Sequence, residues 1–152
     1  MSRVIATDAC AASAQQVEPV AVRILLAEDN RADAILVRHA LTTHRVTGEL
    51  HIVIDGEEAF RTIDRIDHGL LDLPDIVLLD LNLPRREGTE VLGYLRRSQR
   101  CSQLPVVIVT SSDAPRDREL TAALGISAYF RKPSDYDEFM ELGGLVRRLV
   151  VS

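Results

Sequence analysis

Residues 75–80 read DIVLLD: four apolar residues in a row, Ile76 to Leu79, closed at both ends by aspartate. A strand with one wet face alternates apolar and polar side chains, whereas a central strand covered on both faces reads as a short unbroken apolar run. The stretch that follows, LNLPRREG (81–88), carries proline and glycine and marks a loop. A buried strand therefore ends in a charged side chain, Asp80, with no helix immediately after it to cap.

Four further runs surround this one: VRILLA (22–27), ELHIVI (49–54), PVVIVT (105–110) and SAYFRK (127–132). They are rich in β-branched residues, and PVVIVT is again almost continuously apolar. Helical signals fill the gaps. Asn30 is placed to cap a helix through 41 with Asp33 in its first turn, and Asp55 does the same ahead of GEEAFRTIDRI (56–66). Val91, Leu92 and Leu95 mark a third helix; Leu120, Ala123 and Leu124 mark a fourth that ends at Gly125. A last helix over about 134–150 sets Phe139, Leu142, Leu145, Val146 and Leu149 on one face, with Gly143 and Gly144 weakening it. Strand then helix, five times over, predicts an α/β domain with a parallel sheet covered on both faces.

The 152 residues suit one domain, with 46% apolar and 27% charged residues. Residues 1–20 read as a flexible extension, in which Asp8 and Glu18 interrupt any signal-like apolar stretch, and 21–152 as the domain. A formal net charge of −5 argues against nucleic acid as a partner, and no apolar run reaches the roughly 18 residues of a membrane span. Two cysteines, Cys10 and Cys101, have no metal or disulfide spacing, which favours a reduced cytoplasmic setting. His39, His44, His51 and His68 are scattered without ligand spacing.

Ligands of open α/β sheets bind beyond the carboxyl ends of the strands. Just after the first run stand Glu28 and Asp29; the third ends in Asp80, the fourth in Thr110 and the fifth in Lys132. Several carboxylates in one cleft repel each other unless a cation intervenes, and Mg²⁺ takes a few such oxygens and commonly works beside phosphate. Lys132 is the only lysine; the other seventeen basic residues are arginine. A chain that writes arginine everywhere else has kept a compact ammonium where a planar guanidinium fork would not fit. Thr110 has a hydroxyl to give to a bound phosphoryl oxygen, although threonine is also an ordinary strand residue.

With its motifs in order, AEDN (27–30), LLDLNLPRREG (78–88), VIVTSSD (107–113) and AYFRKPS (128–134), the chain over about 22–150 resembles the response-regulator receiver domains of two-component signalling. The resemblance implies a flavodoxin-like sheet of strand order 2-1-3-4-5. It implies that Asp80 accepts a phosphoryl group from a phosphohistidine of a sensor histidine kinase. Asp29, Asp80 and the backbone carbonyl of Asn82 would hold Mg²⁺, and Glu28 a water bound to it. Lys132 would pair with the phosphoryl group, Thr110 would turn toward it, and Tyr129 would be the aromatic switch coupled to Thr110. Asn82 and Ser112 stand where the family tunes dephosphorylation. Pro133 would follow a cis peptide. Arg86 departs from a position where relatives often carry methionine, which suggests a more charged and more mobile loop.

DLNLPRREG, PVVIVTSSD and KPSDYDEF also resemble the short stand-alone receivers partnered with bacterial phytochromes. That likeness implies a phytochrome-type kinase and a second copy of the chain as partners. The second copy would meet a face made of the fourth helix, fifth strand and fifth helix, served by Phe130, Leu142, Leu145 and Leu149, with core packing as the other use of that stripe. The protein is then a phosphoacceptor rather than an enzyme, with slow self-dephosphorylation at most. Two other readings are a phosphorylation-independent interaction module and a Mg²⁺-dependent aspartyl phosphohydrolase. The complete set of site residues speaks against the first, and Asn82, where a general acid belongs, against the second.

Overall fold

The structure is a computed structural model that describes residues 17–151; the extension expected over 1–20, and Cys10 with it, falls almost wholly outside those residues. The element order is β1 (Val20–Ala27), α1 (Arg31–Thr43), β2 (Val46–Val53), α2 (Gly56–Asp67), β3 (Ile76–Leu79), α3 (Gly88–Arg96), β4 (Val106–Thr110), α4 (Pro115–Ala123), β5 (Ala128–Arg131) and α5 (Tyr136–Val151). All five strands are parallel, in the order β2-β1-β3-β4-β5.

The unbroken apolar runs now have a cause. Along β1, Val22, Ile24 and Leu26 face α1 and α5, whereas Leu25 and Ala27 face α2 and α3. β3 and β4 divide in the same way, Ile76 and Leu78 to one side and Val77 and Leu79 to the other, so every position needs an apolar side chain. The expected caps are present: the Asp33 N–H donates to Asn30 Oδ1 at 3.0 Å and the Glu58 N–H to Asp55 Oδ1 at 2.7 Å. Among the described residues no helix is long and apolar enough to cross a membrane.

Four expectations change. Of the Leu120, Ala123, Leu124 stripe only the half-buried Leu124 packs on the core: Leu120 is 40% exposed, Ala123 is exposed, and the buried residue of α4 is Thr121. Its hydroxyl donates to the Asp117 carbonyl at 2.8 Å, which satisfies it without water. Leu142 is wholly buried and serves the core, not a protein-binding face, while Phe130, Leu145 and Leu149 are half-buried. There is no cis peptide among the described residues; Lys132–Pro133 is trans, the form an X–Pro amide still prefers by about 0.5–1 kcal/mol. Lastly, Gly143 is a packing residue in α5, where its bare Cα faces the Ala40 carbonyl of α1.

Candidate functional site

The hydrogen-bond ladder runs one residue past β1, β3 and β5. Glu28 N–H donates to the Val53 carbonyl, Asp80 N–H to Ala27 and Lys132 N–H to Thr110, at 2.9, 3.0 and 2.8 Å. These bonds set Glu28, Asp80, Thr110 and Lys132 side by side at the carboxyl edge of the sheet. Asp29 follows Glu28 directly and remains exposed. Gly88, which closes the loop after β3, packs on this edge: a Cβ there would come within 2.3 Å of the Asp80 carbonyl oxygen. Only glycine fits, which accounts for the end of LNLPRREG.

Lys132 Nζ is the hub. It lies 2.8 Å from Glu28 Oε1, 2.8 Å from Asp33 Oδ2 and 3.0 Å from Asp80 Oδ2, with its side chain 8% exposed. The contact to Glu28 is an ion pair whose angles do not make a hydrogen bond, so the buried Oε1 has none, while Oε2 accepts the Asn30 N–H at 3.0 Å. Asp80 Oδ1 accepts the Asn82 N–H at 3.0 Å. Asp33 is the residue that sequence reasoning missed. It stood only as a first-turn acid of α1, yet with its N–H taken by Asn30 its carboxylate turns back to Lys132.

The environment drives the two buried carboxyls apart. Burial pushes Glu28 up to about 7, against the pull of Lys132 and the Asn30 N–H, and repulsion from Asp80 adds to the rise. Burial also works against an ionised Asp80, but the Asn82 N–H, Lys132 and the Thr110 hydroxyl together outweigh it and hold Asp80 below its ordinary value. Lys132 is held above its ordinary value: burial opposes this, and Asp33, Glu28 and Asp80 overcome it. An ionised carboxylate beside a fixed ammonium is a nucleophile next to an anion-binding group.

Carboxylate oxygens of Glu28, Asp29 and Asp80 come within 4.8 Å of one another. With all-oxygen donors, an unbonded buried Glu28 oxygen and an exposed Asp29, the cluster suits a hard divalent cation that keeps some water, as Mg²⁺ does.

Around this centre the other expected residues divide. Thr110 is fully buried, and its Oγ1 receives only long contacts, 3.5 Å from Asn82 Nδ2 and 3.4 Å from the Ser112 N–H. Tyr129 is half-buried and donates its hydroxyl to the Ser112 carbonyl at 2.8 Å. Ser112 does not offer its hydroxyl to the site; it donates to Asp117 at 2.5 Å. Arg86 is not loose. Its Nε lies 2.7 Å from Glu57 Oε1 and its guanidinium 4.6 Å from the Phe60 ring centroid, tying the β3–α3 loop to α2.

The family model for the response regulator receiver domain matches residues 24–142. The probable methanogenesis regulatory protein FilR2 of Methanothrix harundinacea is 36% identical over 115 residues, 76% of this chain and 74% of the relative. Response regulator Rcp1 of Synechocystis is 32% identical over 120 residues, 78% of this chain and 82% of Rcp1. Its Mn²⁺-bound crystal structure superposes with a TM-score of 0.77 at 31% identity, covering 86% of this chain and 96% of that one. The phosphorylated cyanobacterial phytochrome response regulator RcpA gives 0.78 at 29% identity, covering 88% and 96%.

Proposed function

Since the chain belongs to the response regulator receiver domain family, we propose that Asp80 accepts a phosphoryl group from a sensor histidine kinase and that the aspartyl phosphate changes the protein's contacts with its partners. The single observation that carries this reading is Lys132 Nζ held between Asp80, Asp33 and Glu28 at 2.8–3.0 Å. An Asp80 oxygen attacks the phosphorus of a phosphohistidine. The P–O bond forms as the P–N bond breaks, and the imidazole nitrogen leaves with the electron pair. Lys132 turns one of its three N–H donors from Asp80 Oδ2 to a phosphoryl oxygen while Asp33 and Glu28 keep the ammonium in place. Asp29, Asp80 and the Asn82 carbonyl would hold Mg²⁺, with Glu28 holding a water bound to it, and the ion would supply positive charge for the phosphoryl oxygens. Thr110 gives its hydroxyl to that group, and Tyr129 follows. Asn82 carries an amide where a hydrolase needs an acid, so loss of the phosphoryl group is slow.

The likeness to RcpA and Rcp1 supports a phytochrome-type kinase as donor, output by protein contact, and a cytoplasmic setting. Pairing with a second copy across α4, β5 and α5 rests on the apolar surface that Leu120, Leu145 and Leu149 leave there.

Intact mass after incubation with a small phosphodonor tests the central claim. A gain of one phosphoryl group that needs Mg²⁺ and disappears in Asp80→Asn is expected. No gain from either a small donor or a partner kinase overturns the reading and favours the interaction module.

Metal binding has its own signature. At a Mg²⁺ concentration a hundred times its dissociation constant, mass action stabilises the fold by about 2.7 kcal/mol. For a domain of this size that raises Tm by roughly 5–11 °C. Asp29→Asn is expected to lose most of the rise; an equal rise in that variant would place the cation elsewhere.

A further inference from the structure

Asn82 opens the loop after β3, and its carbonyl is the one backbone ligand expected for the metal. Side-chain carboxylates such as those of Asp29 and Asp80 can swing toward an ion, but a carbonyl moves only with its loop. Near its ends this loop is fixed by the buried Leu83 and by the Gly88 N–H, which donates to the Leu81 carbonyl at 2.9 Å. Between them Pro84, Arg85 and Arg86 are exposed. Arg85 has a φ of +73°, a left-handed conformation that strains a residue with a Cβ, and across it the Arg86 N–H donates to the Pro84 carbonyl at 2.8 Å. A strained turn of this kind persists only where its surroundings hold it.

The start of α2 supplies that hold. The Gly56 N–H donates to the same Pro84 carbonyl at 3.0 Å, and a Cβ on Gly56 would come within 2.2 Å of the Arg86 carbonyl oxygen, so the two segments meet backbone to backbone. Arg85 Nε lies 3.5 Å from Asp55 Oδ2. Arg86 closes the contact from outside, with its Nε 2.7 Å from Glu57 Oε1 and its guanidinium 4.6 Å from the Phe60 ring centroid. That ring stacks on Tyr94 of α3 with centroids 4.1 Å apart, and the Tyr94 hydroxyl donates to Asp64 of α2.

We propose that Arg86, Glu57 and Phe60 are positioning residues for the metal: they hold the β3–α3 loop against α2, keep the Asn82 carbonyl where Mg²⁺ needs it, and so favour Mg²⁺ over larger divalent ions. This rests on the reading of Asp29, Asp80 and the Asn82 carbonyl as the Mg²⁺ site. Mg²⁺ demands near-ideal octahedral geometry, whereas Ca²⁺ accepts irregular sets of oxygens. A loosened loop therefore penalises Mg²⁺ and spares Ca²⁺.

Calorimetric titration of the full chain with Mg²⁺ and, separately, with Ca²⁺ tests this. Arg86→Gln is expected to raise the Mg²⁺ dissociation constant by roughly five-fold, the size of one exposed cation–π contact, and that of Ca²⁺ by less than about two-fold. The Arg86 side chain is 43% exposed, so its removal leaves the core intact. Charge alone predicts the opposite sign, since a loop that has lost a cation attracts either divalent ion more strongly. Phe60→Leu changes no charge and is expected to weaken Mg²⁺ by a similar factor, roughly five-fold. Arg86→Lys, which keeps a cation for Glu57 and the ring, stays close to wild type. Thermal melts without metal check that each variant folds; if Phe60→Leu does not, Arg86→Gln decides. An unchanged or tighter Mg²⁺ affinity in Arg86→Gln, or an equal loss of both ions, overturns the positioning role and leaves the metal site standing. A wild type that binds neither ion overturns the metal site itself, and the positioning role with it.

Discussion

Lys132→Arg is expected to slow phosphoryl transfer to Asp80 by on the order of 10²-fold while the charge stays the same, the size of loss that a misplacement of about 1 Å causes. The ammonium meets three carboxylates from three segments of chain, each within 3.0 Å, in a pocket that leaves the side chain 8% exposed. A guanidinium is longer and flat, and its donors lie in one plane. It prefers to grip one carboxylate with two parallel bonds. If it grips Asp80, the nucleophile is occupied; if it grips Asp33 or Glu28, its remaining donors are fixed in the plane of that pair and not aimed at the phosphoryl oxygen. Forcing the larger group in also shifts neighbouring chain, at about 1–3 kcal/mol. The rate of phosphoryl gain by mass measures the effect, and a thermal melt separates it from loss of fold. A wild-type rate in a folded Lys132→Arg protein would refute the fit argument, and the chain's single lysine would then need another explanation.

The fold was legible because burial on both faces leaves its mark on every residue of β3 and β4, and because the polar residues that end the strands come in ladder order. The site was legible wherever a residue follows its strand directly, as Glu28, Asp80 and Lys132 do, or ends it, as Thr110 does. Asp33 escaped because its role depends on which way a side chain turns once Asn30 has taken its N–H, and spacing does not encode that. α4 shows a different limit. Periodicity reports which residues share a face, not whether a core waits beneath it, and a threonine satisfied by its own helix displaced leucine from the inside. Arg86 shows a third. An arginine beside a site reads as loose charge until Glu57 and Phe60 are seen to hold it.

Gly143 carries the second large effect. Read along the helix, Gly143 and Gly144 are twin weaknesses, since each glycine in a helix interior costs about 0.8–1 kcal/mol relative to alanine. In space they differ. A Cβ on Gly143 would sit 1.9 Å from the Ala40 carbonyl oxygen and 2.7 Å from its carbon, both backbone atoms of α1. Backbone has no rotamer to change, so α1 and α5 must move apart, and with them Val37, Ala40, Leu142 and Val146, four residues with no exposed surface. Overpacking costs of about 1–3 kcal/mol and occasionally more are known, and a backbone collision in the core belongs at the upper end. Gly143→Ala is expected to lower stability by about 3 kcal/mol despite its better helix propensity, a fall in Tm of roughly 6–12 °C for a domain of this size. On Gly144 the same Cβ meets only side-chain atoms, the His44 ring at 3.1 Å and Arg148 Nη1 at 3.6 Å, and an imidazole can turn aside. Gly144→Ala is therefore expected to be neutral or to stabilise by up to about 1 kcal/mol. Melting the two variants side by side separates the explanations. If propensity governs, both rise together; if the approach of α1 to α5 governs, they part in opposite directions. Because α1 is capped by Asn30 and presents Asp33 to Lys132, a Gly143→Ala protein that still folds should also take up phosphoryl groups more slowly. A loss of stability with no loss of rate would mean that the site edge of α1 is held by the sheet alone.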